Sequence, residues 1–203
     1  MISLMQSQFY RLEDYLITGG VVMLPLVVLS LVMWLLIVNR TLFFRRLHLK
    51  NMNAKTAREH IRDGCIPDPM QYRGAVSLLV AEFIRRRSGD PELDRHILDE
   101  TVMKINRQLT NYLAVIGVLA AIAPLLGLLG TVTGMIATFD VLAVFGRGNA
   151  KAMAGGISEA LITTQTGLLV AIPGLYMKGF LDRRARNLCQ RISAVGFYLR
   201  RYL

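Results

Sequence analysis

The 203-residue sequence has little of what a secreted scaffold or a soluble enzyme would use. It contains two cysteines, Cys65 and Cys189, three histidines and one tryptophan. Neither cysteine has a neighbour at metal-ligand spacing, and two distant thiols make no disulfide framework. His48, His60 and His96 lie far apart in the chain, and no HExxH, GxSxG or GxxxxGKS/T pattern occurs. A hydrolase needs a nucleophile with its base, or a set of metal ligands. The chain therefore reads as not an enzyme, with no cofactor and no metal. No β pattern, internal repeat or low-complexity tract is evident.

Charge is all but absent from three long stretches. Residues 15–39 (25 residues) and 108–139 (32) carry none, and residues 152–177 (26) carry one, Glu159. A spanning helix takes about 20 consecutive apolar residues. The expected fold is an all-α membrane protein with three transmembrane helices and long helical cytoplasmic extensions.

The 24 basic residues orient it. Fourteen fall in residues 40–107 and seven in residues 178–203, against one in 1–14 and two in 140–151. The positive-inside rule places the two rich segments in the cytoplasm. Residues 1–14 are then a periplasmic amphipathic segment, with Ile2, Met5, Phe9, Leu12 and Leu16 on one stripe and Tyr10 and Tyr15 at headgroup level. Residues 15–39 form the first transmembrane helix, 40–107 a cytoplasmic helical loop, and 108–139 the second transmembrane helix. Residues 140–151 make a periplasmic turn through Gly146, Gly148 and Asn149. Residues 152–177 form the third transmembrane helix and 178–203 a cytoplasmic tail. Glu13 and Asp14 flank the first span where a signal peptide would carry lysine or arginine, so it reads as uncleaved. Both cysteines fall on the reducing side. The formal net charge of +10 serves orientation and contact with the anionic lipid bilayer. No recognised module surrounds the basic residues, so the expectation is no nucleic acid.

Within the cytoplasmic loop, Gly64 and the cluster Pro67-Asp68-Pro69 break the chain. A helix is expected over about residues 71–87. Asp90 suits the cap of the next and Pro91 its first position. From there Leu93, Ile97, Thr101, Ile105 and Leu109 recur every four residues, with no breaker before the second span. In the tail, Leu181, Leu188, Ile192, Val195 and Leu199 are available for a packed face. Extensions of two spans could therefore pack against each other.

Glu159 is the residue that a passive anchor does not need. An acid facing lipid is costly, so intramembrane carboxylates face a bundle interior or a watery path. Gly127, Thr131, Gly134 and Thr138 share one face of the second span, and Glu159, Thr163, Thr166 and Val170 share one face of the third. At about 1.5 Å per residue, Thr131 and Glu159 both lie roughly 8 Å outward of their span midpoints. Thr164 sits near the midplane. The same glycines also suit close helix packing, with Gly130 to Gly134 a GxxxG motif. Three spans enclose little volume, so a pore calls for several copies in a ring.

Residues 123–135 (APLLGLLGTVTGM) resemble the second span of the ExbB/TolQ branch of the MotA/TolQ/ExbB proton-channel family. Residues 156–164 (GISEALITT), continued by 167–173 (GLLVAIP), resemble its third. The resemblance implies a pentameric ring in the bacterial inner membrane around an ExbD-like single-span partner that carries the proton-accepting Asp. A TonB-like protein then carries the work to the outer envelope. Thr131, Glu159 and Thr164 match the family's pore positions, which makes them, with Thr163, the expected proton pathway. Glu159 and Thr164 are five residues apart, about 140° around a helix; both cannot point at one axis, and Thr163 is the alternative pore-lining residue. Gly127, Gly130, Gly134, Thr138, Thr166 and Pro173 are candidates for pore lining or helix packing. The favoured role is energised outer-membrane uptake; a TolQ-like subunit of the Tol-Pal motor and a non-conducting scaffold are the alternatives.

Overall fold

In the computed structural model, residues 18–48, 52–68, 70, 72, 74–146 and 150–203 are described. The expected amphipathic segment 1–14 and the turn residues 147–149 lie outside them. Among the described residues six helices follow in order: α1 (Gly20–His48), α2 (Ala54–Asp63), α3 (Ala75–Arg86), α4 (Pro91–Thr110), α5 (Leu113–Phe145) and α6 (Ala150–Arg200). Among the described residues there is no strand. Among the same residues three helical stretches are long and apolar enough to cross a membrane, in α1, in α4 with α5, and in α6. Each of α1, α5 and α6 contains a proline, at Pro25, Pro124 and Pro173. Helices in lipid tolerate proline because neighbouring helices and hydroxyl side chains take up the freed backbone groups.

The chain divides into two compact units. The first takes residues up to 36 and residues 115–178. Its core is where α1, α5 and α6 meet: Leu29, Ala123 and Ala171 are buried together, with Leu119, Leu126 and Val170 around them. Nearby, Met33 of α1 packs on Gly174 of α6 beside Ala120 of α5.

The second unit takes residues 37–114 and 179–203. A separate helix, α2, stands just before the expected break at Gly64. Asn53 caps it, accepting the Ala54 N–H at 2.8 Å. Gly64 ends it in the left-handed region, at φ 67, with its N–H turned back to the carbonyls of His60 and Ile61. Helix α3 begins at Ala75, four residues later than expected, after Gly74 in an extended conformation. Helix α4 opens as read: Asp90 is the cap and accepts the Glu92 N–H at 3.0 Å, with Pro91 in the first turn.

The buried face of α4 differs from the expected stripe. Asp94, Leu98, Thr101, Ile105 and Leu109 are buried, while Leu93 is 50% exposed. A strict interval of four drifts about 40° per step around a helix of 3.6 residues per turn. The stripe from Leu109 back to Thr101 holds, and Ile97 and Leu93 then rotate out of it. The chain also breaks where none was expected, between α4 and α5. Tyr112 sits at φ 63, a left-handed conformation, and the Asn111 side chain accepts the Tyr112 N–H at 3.1 Å. Asparagine competes with a helix by offering the backbone this local partner. The buried Arg40 holds the break: its guanidinium lies 4.9 Å from the Tyr112 ring centroid and 5.2 Å from that of Phe43. It also donates to the Gln108 carbonyl at 3.3 Å.

The tail residues Leu181, Leu188, Ile192, Val195 and Leu199 are all buried in the second unit. Here α6 packs along α4. Asn106 donates to the Ser193 hydroxyl at 3.1 Å, Gly196 accommodates the Val102 side chain, and Arg200 pairs with Asp99 at 3.5 Å.

Candidate functional site

The candidate site lies wholly in the first unit. On α6, Gly156, Ala160, Thr163, Gly167, Ala171 and Gly174 are buried. On α5, Ala123, Gly127, Gly130, Gly134 and Thr138 are buried. Both sets step by three and four, the spacing of one helix face. They pack against each other in antiparallel order. A Cβ on Gly167 would stand 2.7 Å from the Ala123 carbonyl oxygen, and one on Gly127 3.0 Å from that of Thr163. One on Gly134 would stand 2.6 Å from the Gly156 carbonyl oxygen and 2.9 Å from the Ala160 nitrogen. Gly130 leaves the room that the Thr163 side chain fills. The two backbones meet almost directly, as small-residue packing in membranes allows.

The hydroxyls bond to carbonyls close at hand. Thr131 donates to the Leu128 carbonyl at 2.6 Å, Thr138 to Gly134 at 2.9 Å and Thr166 to Ile162 at 2.8 Å. Thr163, 0% exposed, donates to the carbonyls of Glu159 and Ala160, both at 3.0 Å. Thr164 bridges the two helices, donating to the Gly127 carbonyl at 3.1 Å as well as to Ala160 of its own helix at 3.2 Å. Interhelical hydrogen bonds in membranes average about 0.6 kcal/mol. Thr164→Val is therefore expected to lower stability by only about that much, measured by unfolding in mixed detergent micelles.

Glu159 sits elsewhere. Ala160 meets Gly134, so Glu159 stands level with residues 131–135 of α5, yet its side chain turns to α1. The carboxylate lies against Gly20, the first residue of α1, in the space that a Cβ there would occupy. Glu159 and Thr131 are both half-buried. No lysine, arginine or histidine occurs in residues 152–177 to neutralise the acid. Among the described residues, no group of three or more His, Cys, Asp or Glu could hold a metal.

The structure thus gathers Gly127, Gly130, Gly134, Thr138, Thr163 and Thr164 into one helix contact. It leaves Thr131, Thr166 and Pro173 partly exposed, and it puts Glu159 against a third helix. Gly156, Gly167 and Gly174 were missed in the sequence, although their spacing with Ala160 and Ala171 is a small-residue stripe as plain as that of α5. Gly20 carried no signal, because nothing local links it to an acid 139 residues away.

Three apolar helices packed on glycines, with Glu159 the one charge in residues 152–177, define an integral membrane protein. Residues 65–194 match the MotA/TolQ/ExbB proton channel family; the chain belongs to that family, in its ExbB/TolQ branch and close to ExbB. It is 36% identical over 201 residues to an ExbB-like biopolymer transport protein of Synechocystis, covering 94% of this chain and 78% of that one. With the biopolymer transport protein ExbB of Neisseria meningitidis it shares 30% identity over 196 residues, 87% of each chain. The ExbB of Aquifex aeolicus is 40% identical over 84 residues, 41% of this chain and 57% of that one.

Proposed function

We propose that this protein is the proton-channel, or stator, subunit of a TonB–ExbB–ExbD-type motor in the bacterial inner membrane. It couples the proton-motive force to energised outer-membrane uptake. The observation that carries this reading is Glu159, the one charge in residues 152–177, level with Thr131 in a chain of a proton-channel family. The N-terminus is periplasmic and the C-terminus cytoplasmic, and five copies surround the single span of an ExbD-like partner. Glu159 takes a proton entering from the periplasmic side and passes it to the partner's aspartate, which releases it to the cytoplasm. Thr131 and Thr164, or Thr163, order the water and hydroxyl path between them. A TonB-like protein carries the resulting motion outward.

The test is proton flux into liposomes that hold the protein with and without its single-span partner. Glu159→Gln is expected to lower partner-dependent flux on the order of a hundredfold, the usual worth of a positioned acid–base group, with assembly intact. Flux that ignores the substitution would return Glu159 to a packing role. Deletion strains separate the two motor branches: failure to grow under iron limitation belongs to the uptake motor, detergent sensitivity and cell chaining to the Tol-Pal motor.

A further inference from the structure

We infer that Gly20 is a positioning residue for Glu159, so that α1 takes part in the proton machinery instead of only anchoring it. The inference rests on the proposed proton pathway and names a component of it. Two independent features single out position 20. Its backbone has φ 65, a conformation that L side chains other than Asn and Asp adopt at a cost. A Cβ added there would also overlap the Glu159 carboxylate, standing 2.6 Å from Cδ and 3.3 Å from Cγ. The absent side chain is thus the seat of the acid.

The seat has a chemical rationale. Gly20 is the first residue of α1, and the first turn of a helix carries backbone N–H groups without helical acceptors, donors that suit a carboxyl oxygen. Met23 and Leu26 of α1 and Ala160 of α6 are buried. The Glu159 side chain is flexible, while the helices beneath it are locked by glycine contacts. A methyl at position 20 would therefore displace the carboxylate and leave the packing of α5 on α6 in place.

The experiment uses the full chain with its single-span partner in liposomes, reading partner-dependent proton flux and oligomer size together. Gly20→Ala is expected to reduce flux on the order of tenfold to a hundredfold, as for a reacting group moved by about an ångström, with oligomer size unchanged. Gly20→Asn tolerates the left-handed backbone, so it isolates displacement from strain; it is expected to reduce flux as well, and it carries the test if Gly20→Ala fails to assemble. Glu159→Asp withdraws the carboxylate by one methylene. Alone it is expected to conduct poorly, but combined with Gly20→Ala it is expected to conduct better than Gly20→Ala alone, which a purely structural glycine would not produce. Wild-type flux in both Gly20 variants, with Glu159→Gln silent, would overturn this inference and leave the pathway standing. Additive losses in the double variant would overturn it too. Wild-type flux in Glu159→Gln would overturn the pathway itself, and the positioning role with it.

Discussion

Gly156→Ala is expected to destabilise the packed helices by about 3 kcal/mol, the upper end of overpacking costs, whereas Gly155→Ala one residue away is expected to be harmless. A Cβ on Gly156 would meet the Thr138 hydroxyl and stand 2.7 Å from the Gly134 carbonyl oxygen and 3.1 Å from the Thr138 nitrogen. Two of these three atoms are backbone of α5, which can move only by prising the helices apart. A Cβ on Gly155 meets nothing within 4 Å, and alanine there gains up to about 1 kcal/mol of helix propensity. Gly134→Ala presses on the same contact from the other side, so its effect and that of Gly156→Ala should not add in the double variant. Unfolding in micelles of rising denaturing-detergent fraction measures all four. Equal stabilities for Gly155→Ala and Gly156→Ala would refute the close α5–α6 contact.

Asp94 is the second place where a single substitution should tell. It is 1% exposed at the start of α4, where its carboxylate accepts the Ser88 N–H at 2.8 Å, the Ser88 hydroxyl at 3.1 Å and the Arg87 Nε at 3.1 Å. Arg87 in turn donates to the Ile61 carbonyl at the end of α2, at 2.8 Å. One carboxylate thus organises the turn between α3 and α4 and ties it to α2. Asp94→Ala removes the acceptor for three donors and is expected to cost the second unit about 2 kcal/mol, the usual penalty for leaving partly buried donors unsatisfied. Amide hydrogen exchange in residues 54–98 should rise with it.

The same carboxylate sets an acid dependence. Burial pushes the Asp94 carboxyl up, but the hydrogen bonds from the Ser88 backbone, the Arg87 guanidinium and the Ser88 hydroxyl together hold it below the usual carboxylate range. A group depressed in the folded state binds its proton more readily when unfolded. Its contribution is therefore fully present above the unfolded value near 3.9 and fades as pH falls through the lower folded value. Wild type should lose more stability than Asp94→Asn between about pH 4 and pH 2; parallel curves would show that Asp94 is not held as described.

Much of this was legible in the chain because membrane solvation acts on composition. Charge-free stretches of 25 and 32 residues, and one of 26 with a single acid, have few ways to satisfy their backbone other than as helices in lipid. The helix starting at Pro91 was legible for a local reason, since Asp90 caps its own neighbours. The break at Tyr112 was not, because neither glycine nor proline marks it and the stacking guanidinium of Arg40 comes from 72 residues away. The buried face of α4 was misplaced at its beginning because an interval of four only approximates the helical period. For the candidate site, residue types and their helix faces could be read, but not their neighbours. Thr163 and Glu159 share a helix face in sequence, yet Thr163 is enclosed against Gly130 while the Glu159 carboxylate reaches Gly20.

The sequence by itself determined that this is a membrane protein with three long apolar stretches, that Glu159 is the one charge in residues 152–177, and that it resembles a proton-channel family. The apolar stretches follow from the cost of charge and bare backbone in lipid, which is counted along the chain, and the family from the residue pattern at 123–135 and 156–173. Tertiary structure alone decided that α5 and α6 touch through Gly134 and Gly156, that Thr164 bridges them through the Gly127 carbonyl, and that the acid rests on the first residue of α1. These are matters of which surfaces can approach within van der Waals distance, and that depends on the joint shape of three helices, which no single stretch of sequence contains.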